Sequence, residues 1–161
     1  MPTSLLPVIP SLPVPHREQQ YPSDCLAACA AMVLEYLGKP TPYSRLLTLL
    51  RIGPIGAPRR NIRYLTRLGI DVTYQEATLP LVVGYLQAGN PVIAFVDTGE
   101  LPYWSVRTNH AVVLVGINRG SVFVNDPAFP DAPKQVSLGE FDLAWFNSDN
   151  ACAILGPMDQ A

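Results

Sequence analysis

The apolar residues in the first part of the chain recur with the period of an α-helix. Between residues 24 and 37 those spaced three or four positions apart are Cys25, Ala28, Cys29, Met32, Val33, Tyr36 and Leu37. Such a stripe is typical of a helix that is buried along one face. The helix should begin near Asp24 and end at Gly38, because Ser23 and Asp24 are both preferred N-cap types and glycine commonly follows the last turn. Further helices are predicted at residues 43–50 and 59–68.

The pattern changes after residue 69. Residues 70–75 alternate like a strand, and 91–97 form the continuous apolar run of a strand buried on both faces. The other predicted elements are strands at 110–117, 121–126, 135–137 and 151–155, and helices at 81–87 and 138–146. Since helices come first and strands cluster later, the sequence predicts an α+β fold with N-terminal helices packed on an antiparallel sheet.

The N-terminal segment has a different composition from the rest of the chain. Residues 1–15 contain five of the 17 prolines and therefore cannot form a helix. We expect an extended proline-rich arm at 1–15 that either lies along the domain or is flexible. Residues 16–161 are then one domain, since a chain of 161 residues suffices for a single core.

Composition excludes several classes of function. The formal net charge is −2 and no basic tract is present, which argues against nucleic acid or an anionic membrane as a partner. No run approaches 18 uncharged apolar residues, so no membrane segment is expected. The three cysteines are an odd number and show no paired C-x-x-C motifs, which argues against a disulfide framework or a zinc site. We expect a soluble, cytoplasmic protein without a metal or other cofactor.

Cys25 is the first candidate for chemistry. It falls in the first helical turn, where free backbone N–H groups and the positive end of the helix dipole favour a thiolate. The alternative is a small core residue, because free cysteine is usually buried. Cys29, one turn further along, and Cys152, in the last strand, are expected to be core residues.

The two strands at 110–117 and 121–126 supply a candidate base and its partner. If Asn118-Arg119-Gly120 is a three-residue hairpin loop with glycine in the left-handed conformation, position 110 lies opposite 128. His110 and Asp126 are then diagonal neighbours on one face of the sheet. A loop shorter or longer by one residue would place them on opposite faces. A histidine at a strand edge and an aspartate before proline also suit purely structural roles.

Together these residues form a candidate catalytic group. A nucleophilic thiol needs a base, and the base needs an acceptor that holds its tautomer. An oxyanion needs donors, of which the Cys25 N–H is one and a side-chain amide just upstream another. Gln19 and Gln20 are both candidates for that amide.

These motifs resemble a known family. Gln19 with Cys25, then Asn109-His110-Ala111-Val112-Val113, then Asn125-Asp126-Pro127 resemble the compact papain-like cysteine peptidases of family C39, the double-glycine or bacteriocin-leader peptidases and their stand-alone relatives. The resemblance implies a papain-like fold with Cys25 as nucleophile, His110 as general base and then acid, Asp126 as orienting group and Gln19 as oxyanion donor.

The resemblance also bears on the substrate. It implies a peptide or protein substrate with small residues such as Gly-Gly before the scissile bond. Leu26 stands where many members have glycine after the nucleophile. The best-known members are domains of leader-cleaving exporters, and this chain encodes no membrane or nucleotide-binding part. The transporter role is therefore not carried over to this chain, and the sequence does not identify a separate transporter or operon partner.

Two alternatives to a peptidase share this site. One is a thiol acyltransferase, in which an amine replaces water. The other is a catalytically silent module that binds a peptide in the cleft.

The loop at 98–109 and the start of the third helix contain further candidates. Tyr103 and Trp104 either form a wall of the cleft or pack in the ordinary way, and Asn109 is a candidate substrate contact. Arg59 and Arg60 are expected to form a solvent-exposed helix start.

Overall fold

The fold is known from a computed structural model that describes residues 6–158. In chain order the elements are α1 (Cys25–Tyr36), α2 (Tyr43–Leu49), a 3-10 helix (Arg59–Leu68), β1 (Ile70–Glu76), α3 (Leu79–Gln87), β2 (Val92–Asp97), a short 3-10 helix (Thr98–Glu100), β3 (Asn109–Asn118), β4 (Ser121–Asn125), β5 (Lys134–Ser137), α4 (Leu138–Phe146) and β6 (Ala151–Pro157). The predicted α+β fold is confirmed. The helix predicted at 59–68 has 3-10 rather than α geometry.

The strands of the described part form one six-stranded antiparallel sheet in the order β1-β6-β2-β3-β4-β5. On one face, α1, α2 and the 3-10 helix cover a core that includes Met32, Val33 and Val113. On the other face, α3 and α4 cover a second core, with Val112 and Trp145. Because helices cover both faces, the central strand β2 is apolar on both sides, as its sequence predicted.

Helix α3 begins two residues before its predicted start. Thr78 is the N-cap, and its Oγ1 accepts a hydrogen bond from the N–H of Leu81 over 3.4 Å. Pro80 lies in the first turn, where the missing N–H costs nothing. The Thr-x-Pro sequence was therefore the signal for the true start of this helix.

The turn between β3 and β4 differs from the prediction. Asn118 pairs with Ser121, so the turn has two residues, and the predicted three-residue loop is wrong. Arg119, rather than Gly120, has the left-handed conformation, with a φ of 47°. By itself this shorter turn would move one strand's side chains to the other face relative to its neighbour.

A β-bulge in β3 restores the predicted register. The pairing shifts by one residue between Leu114 and Gly116, so β3 contains one residue more than β4 over this stretch. Beyond the bulge the register equals that of a three-residue loop without a bulge, and position 110 falls opposite 128. His110 and Asp126 are therefore diagonal neighbours on one face, as predicted.

The described part of the proline-rich arm lies along the sheet next to this bulge. Ile9 exchanges two backbone hydrogen bonds with Ile117, of 2.8 and 3.0 Å, and the Leu12 N–H donates to the Val115 carbonyl over 2.9 Å. Val14, at the end of the arm, is buried in the α1 core. The arm thus extends the hydrogen bonding of β3 beyond the end of β2.

Within residues 6–158, no helix is both long enough and apolar enough to cross a membrane.

Gly116 allows the arm to approach this closely, and its substitution tests the contact. A Cβ at position 116 would lie 3.0 Å from the Ile9 carbonyl oxygen and from the Ser11 Cα, both of them backbone atoms. We expect Gly116→Ala to destabilise the protein by about 1–3 kcal/mol in urea unfolding and to make the arm sensitive to proteolysis.

Gly84→Ala is the matched control. Gly84 lies inside α3, and a methyl group added to its Cα would have no atom within 4 Å apart from the adjacent residues and the backbone of the helix itself. Alanine there should therefore stabilise the helix by up to about 1 kcal/mol. Equal stability of Gly116→Ala and the wild type, with the arm still protected, would show that the contact is unimportant.

Candidate active site

Cys25 is the first residue of α1 and is half-buried. Of the two N-cap candidates, Ser23 and Asp24, the structure uses Asp24, but its side chain makes no capping hydrogen bond. Its Oδ2 instead accepts from the Tyr21 N–H and the Tyr43 hydroxyl, each over 3.2 Å. The first-turn N–H groups beside Cys25 therefore have no side-chain cap from Asp24, and they point toward the N-terminal end of α1.

His110 and Asp126 form the central polar contact of this region. His110 Nε2 lies 2.7 Å from Asp126 Oδ1, and the two side chains are 3% and 0% exposed. His110 is near the start of β3, and Asp126 directly follows β4. Because Nε2 binds Asp126, Nδ1 is the ring nitrogen left for the thiol of Cys25, which lines the same cavity as His110.

The surroundings of His110 favour its charged form. Burial opposes the charge, but the hydrogen bond and charge of Asp126, together with the neighbouring Cys25, outweigh this effect and raise the pKa of His110 to about 9. Burial likewise opposes ionisation of Asp126, and its hydrogen bonds with His110 and other donors lower its pKa nonetheless. At neutral pH this pair is therefore an imidazolium and a carboxylate.

Tyr103 and Trp104 contact Asp126. The Tyr103 hydroxyl and the Trp104 Nε1–H each donate to Asp126 Oδ2 over 2.8 Å. The Trp104 ring also lies edge-on to the His110 ring, with 4.7 Å between centroids. Neither residue lines the cavity beside Cys25, so both support the buried carboxylate from behind.

The loop that carries these two aromatic residues is itself held by a buried threonine. Thr98 Oγ1 donates to the Val106 carbonyl over 2.8 Å and accepts from the Thr108 N–H, also over 2.8 Å. The Thr98 side chain is fully buried. These bonds close the loop just before β3 begins and keep Tyr103 and Trp104 on Asp126.

A cavity of about 300 Å³ opens beside Cys25. Its lining residues come from the start of α1, from the loop before the 3-10 helix, and from the ends of β2 and β3: Cys25, Leu26, Ala57, Pro58, Arg59, Phe95, Val96, Asn109, His110, Ala111 and Ser148. This volume is at the lower end of ligand pockets, which span about 300–1,000 Å³. Asn109, a predicted substrate contact, is thus placed in the cavity with the thiol and the imidazole.

Gln19 lies near this group but does not line the cavity. Its backbone N–H donates to the Pro127 carbonyl over 2.8 Å, which places it beside the residue that follows Asp126. Its side-chain Nε2 donates to the Tyr21 carbonyl over 3.0 Å, and its Oε1 is buried without a partner. Gln20 lines a different cavity, on the outer side of α1. The oxyanion role of Gln19 stays a prediction.

Arg59 differs from its expected role. It was expected at a solvent-exposed helix start, whereas it lines the cavity and binds Tyr74, Ser148 and Asp149. Arg60 is exposed. No local pattern distinguishes these two arginines, because the partners of Arg59 are 15 to 90 positions away in sequence.

The other two cysteines are core residues, as expected. Cys29 and Cys152 are fully buried, and all three cysteines are free. Burial, followed by the nearby Cys25 and Asp126, raises the pKa of Cys29 well above its usual value. Burial raises the pKa of Cys152 to about 11. Neither thiol is therefore prepared to act as a nucleophile at neutral pH.

The chain is similar to known proteins over most of its length. Residues 11–152 match the model of the Peptidase_C39 like family. No curated protein sequence matches the chain. A Bacillus anthracis protein assigned to the C39-like peptidases superposes with a TM-score of 0.80 at 16% identity, covering 96% of this chain and 100% of that one.

Two peptidases from transporters have the same fold. The peptidase domain of Streptococcus ComA, a bifunctional ABC transporter of a quorum-sensing pathway, gives a TM-score of 0.73 at 21% identity, covering 89% of this chain and 98% of that one. A double-glycine-motif protease from an AMS/PCAT transporter, solved with its leader peptide, gives 0.71 at 21% identity, covering 94% and 98%.

The raised pKa of His110 predicts a pH-dependent stability. The pKa of His110 is about 9 in the folded protein against an ordinary 6.5. The free energy of unfolding that charged His110 contributes is therefore complete below about pH 6.5 and is lost as the pH rises through 9. It corresponds to about 3 kcal/mol. The difference in unfolding free energy between wild type and His110→Gln should shrink by this order between pH 6.5 and 9.5. A difference that is constant over this range would contradict the assignment of a charged His110.

The two donors to Asp126 Oδ2 predict a non-additive pair of substitutions. Tyr103→Phe or Trp104→Phe removes one donor and leaves the other, so each should cost about 1–2 kcal/mol of unfolding free energy. The double substitution removes both donors from a buried carboxylate oxygen, and it should cost at least about 1 kcal/mol more than the sum of the two. Urea denaturation of the four proteins measures this coupling; simple additivity would show that Oδ2 does not depend on the pair.

Proposed function

The chain belongs to the Peptidase_C39 like family, and from this premise we propose that it is a cysteine peptidase with Cys25 as its nucleophile. One observation carries the proposal: Cys25 begins a helix at the wall of an open cavity that His110 also lines, and His110 is held by the buried Asp126. A nucleophile, a base and an orienting acceptor in this order are what thiol-dependent acyl transfer requires.

The reaction proceeds in two steps. The Cys25 sulfur attacks the peptide carbonyl carbon, and the C–N bond breaks as the imidazolium of His110 gives its Nδ1 proton to the leaving amine. The acyl group is then a thioester on Cys25. Neutral His110 next takes a proton from water, the resulting hydroxide attacks the thioester, and the carboxylic acid leaves while the thiolate and imidazolium are restored. Asp126 holds Nε2 throughout and so keeps Nδ1 directed at the sulfur.

We assign the oxyanion donors to the Cys25 N–H and the Gln19 side-chain amide. The Cys25 N–H belongs to an uncapped helix start, where such groups favour negative charge. The Gln19 amide donates to the Tyr21 carbonyl, so this role requires it to exchange that carbonyl for the substrate oxyanion. The anchored backbone of Gln19 at Pro127 keeps the side chain within the neighbourhood of the site.

The substrate we propose is a peptide with small residues such as Gly-Gly before the scissile bond. The cavity is small, and Leu26 and Phe95 contribute bulky walls to it, so a substrate chain without large side chains would fit best beside Cys25. The structurally similar AMS/PCAT protease, described as a double-glycine-motif protease, supports this choice by analogy. Because the three thiols are free, we place the activity in a reducing compartment such as the cytoplasm.

Cleavage of Gly-Gly peptides by matched cysteine variants tests the proposal. Cys25→Ala should lower kcat/KM by at least about 10³-fold, since the nucleophile is lost. Cys29→Ala removes a thiol from the same helix one turn further in and should retain cleavage. His110→Gln and Asp126→Asn should both lower kcat, His110→Gln more strongly. Cleavage products are measured by mass spectrometry, which also shows whether water or an added amine accepts the acyl group. Wild-type cleavage that survives Cys25→Ala would overturn the mechanism.

A further inference from the structure

Arg59 lines the same cavity as Cys25 and His110, and it is the one arginine among the described residues of that lining. It begins the 3-10 helix, and three contacts hold its head group in place. Its Nε donates to the Tyr74 hydroxyl over 3.0 Å, one terminal nitrogen donates to the Ser148 carbonyl over 3.0 Å, and the other donates to Asp149 Oδ2 over 2.6 Å. The cation is therefore positioned before any substrate arrives.

Arg59 retains donors that these contacts do not use. A guanidinium carries five N–H groups, and the three contacts above use three of them. The Arg59 side chain is 34% exposed, and that of its partner Asp149 is 65% exposed. The ion pair is thus open to solvent on the side of Asp149, where a competing carboxylate could replace or share the contact.

The charges that line the cavity are unbalanced. Of its described lining residues, Cys25, Arg59 and His110 are ionisable, and the lining contains no aspartate or glutamate. The carboxylates that pair with His110 and Arg59, Asp126 and Asp149, both lie outside this lining, so Arg59 presents a cation to the cavity with no acidic side chain facing it there. Its guanidinium carbon lies 6.0 Å from the centre of the Phe95 ring, and apolar walls of this kind strengthen the attraction between a cation and an anion.

We infer that Arg59 is a specificity-determining residue that binds a carboxylate of the substrate close to the scissile bond. This inference rests on the proposed peptidase function and adds to it a preference for a negatively charged group on the substrate. The carboxylate belongs either to an Asp or Glu side chain or to the C-terminus of a short peptide. An arginine suits both, because its planar head group matches the two oxygens of a carboxylate.

Arg59 and Asp149 give the inference a test with opposite signs. Arg59→Gln removes the cation that receives the ligand, whereas Asp149→Asn removes the protein carboxylate that competes with the ligand. If Arg59 only anchors the turn at 148–149, both substitutions break the same ion pair and should act in the same direction. Arg60→Gln is the matched control, since it removes the same charge from an exposed neighbour outside the cavity.

Alkylation of Cys25 measures the effect without peptidase activity. Iodoacetate and iodoacetamide are similar in size and form the same S–C bond with loss of iodide, but only iodoacetate is an anion. We expect the iodoacetate-to-iodoacetamide rate ratio at Cys25 to fall about fivefold in Arg59→Gln, to rise in Asp149→Asn and to stay at the wild-type value in Arg60→Gln. Peptide mass mapping assigns the label to Cys25. A ratio that Arg59→Gln leaves unchanged, or that both variants shift in the same direction, would overturn the inference.

Matched peptides then identify the source of the carboxylate. One set compares Glu with Gln at positions flanking the scissile bond, and the other compares a free C-terminus with its amide. Wild type should favour the acidic member of one set by about tenfold in kcat/KM, and Arg59→Gln should lose that preference. Equal kcat/KM for all members would overturn the inference. If no peptide is cut at all, the proposed peptidase function fails, while the alkylation ratio still decides the role of Arg59.

Discussion

The buried hydrogen bond between His110 and Asp126 is the interaction on which the rest of the site depends. A carboxylate that is 0% exposed is costly unless its oxygens are satisfied, so the fold supplies a partner for each. Oδ1 accepts from the Ala128 N–H as well as lying against His110, and Oδ2 receives the Tyr103 and Trp104 donors. These requirements position the loop before β3, the start of β3 and the segment after β4.

This arrangement separates the two sides of the imidazole. Nε2 is fixed from behind by a buried, fully bonded carboxylate, while Nδ1 is left for the thiol at the start of α1. Aromatic side chains lie on the buried side, and the cavity opens on the other. Tyr103 and Trp104, which the sequence placed near the site, both donate to Asp126, and Trp104 also packs against the His110 ring. The cavity is lined by other residues, among them Phe95 and Arg59.

The prediction of the hairpin shows how a local error can leave a tertiary result intact. The loop has two residues where three were predicted, and a bulge near Gly116 adds the missing residue back. The bulge was not predictable from local turn chemistry, because the strand next to it is bonded to the arm at Ile9 and Leu12, more than 100 positions earlier in the chain. The register at His110 was therefore correctly predicted, although the structure reaches it by a different route.

The sequence by itself determined the elements, their order, and the candidates Cys25, His110 and Asp126, because periodicity, helix capping and strand alternation are local properties that neighbouring residues specify. Only the tertiary structure decided what surrounds them. The contacts of Arg59 with Ser148 and Asp149, and those of Gln19 with Tyr21 and Pro127, depend on where distant turns come to rest on the sheet. Long-range packing leaves no periodic signal, so an arginine that lines the cavity and one that faces solvent look alike in the sequence.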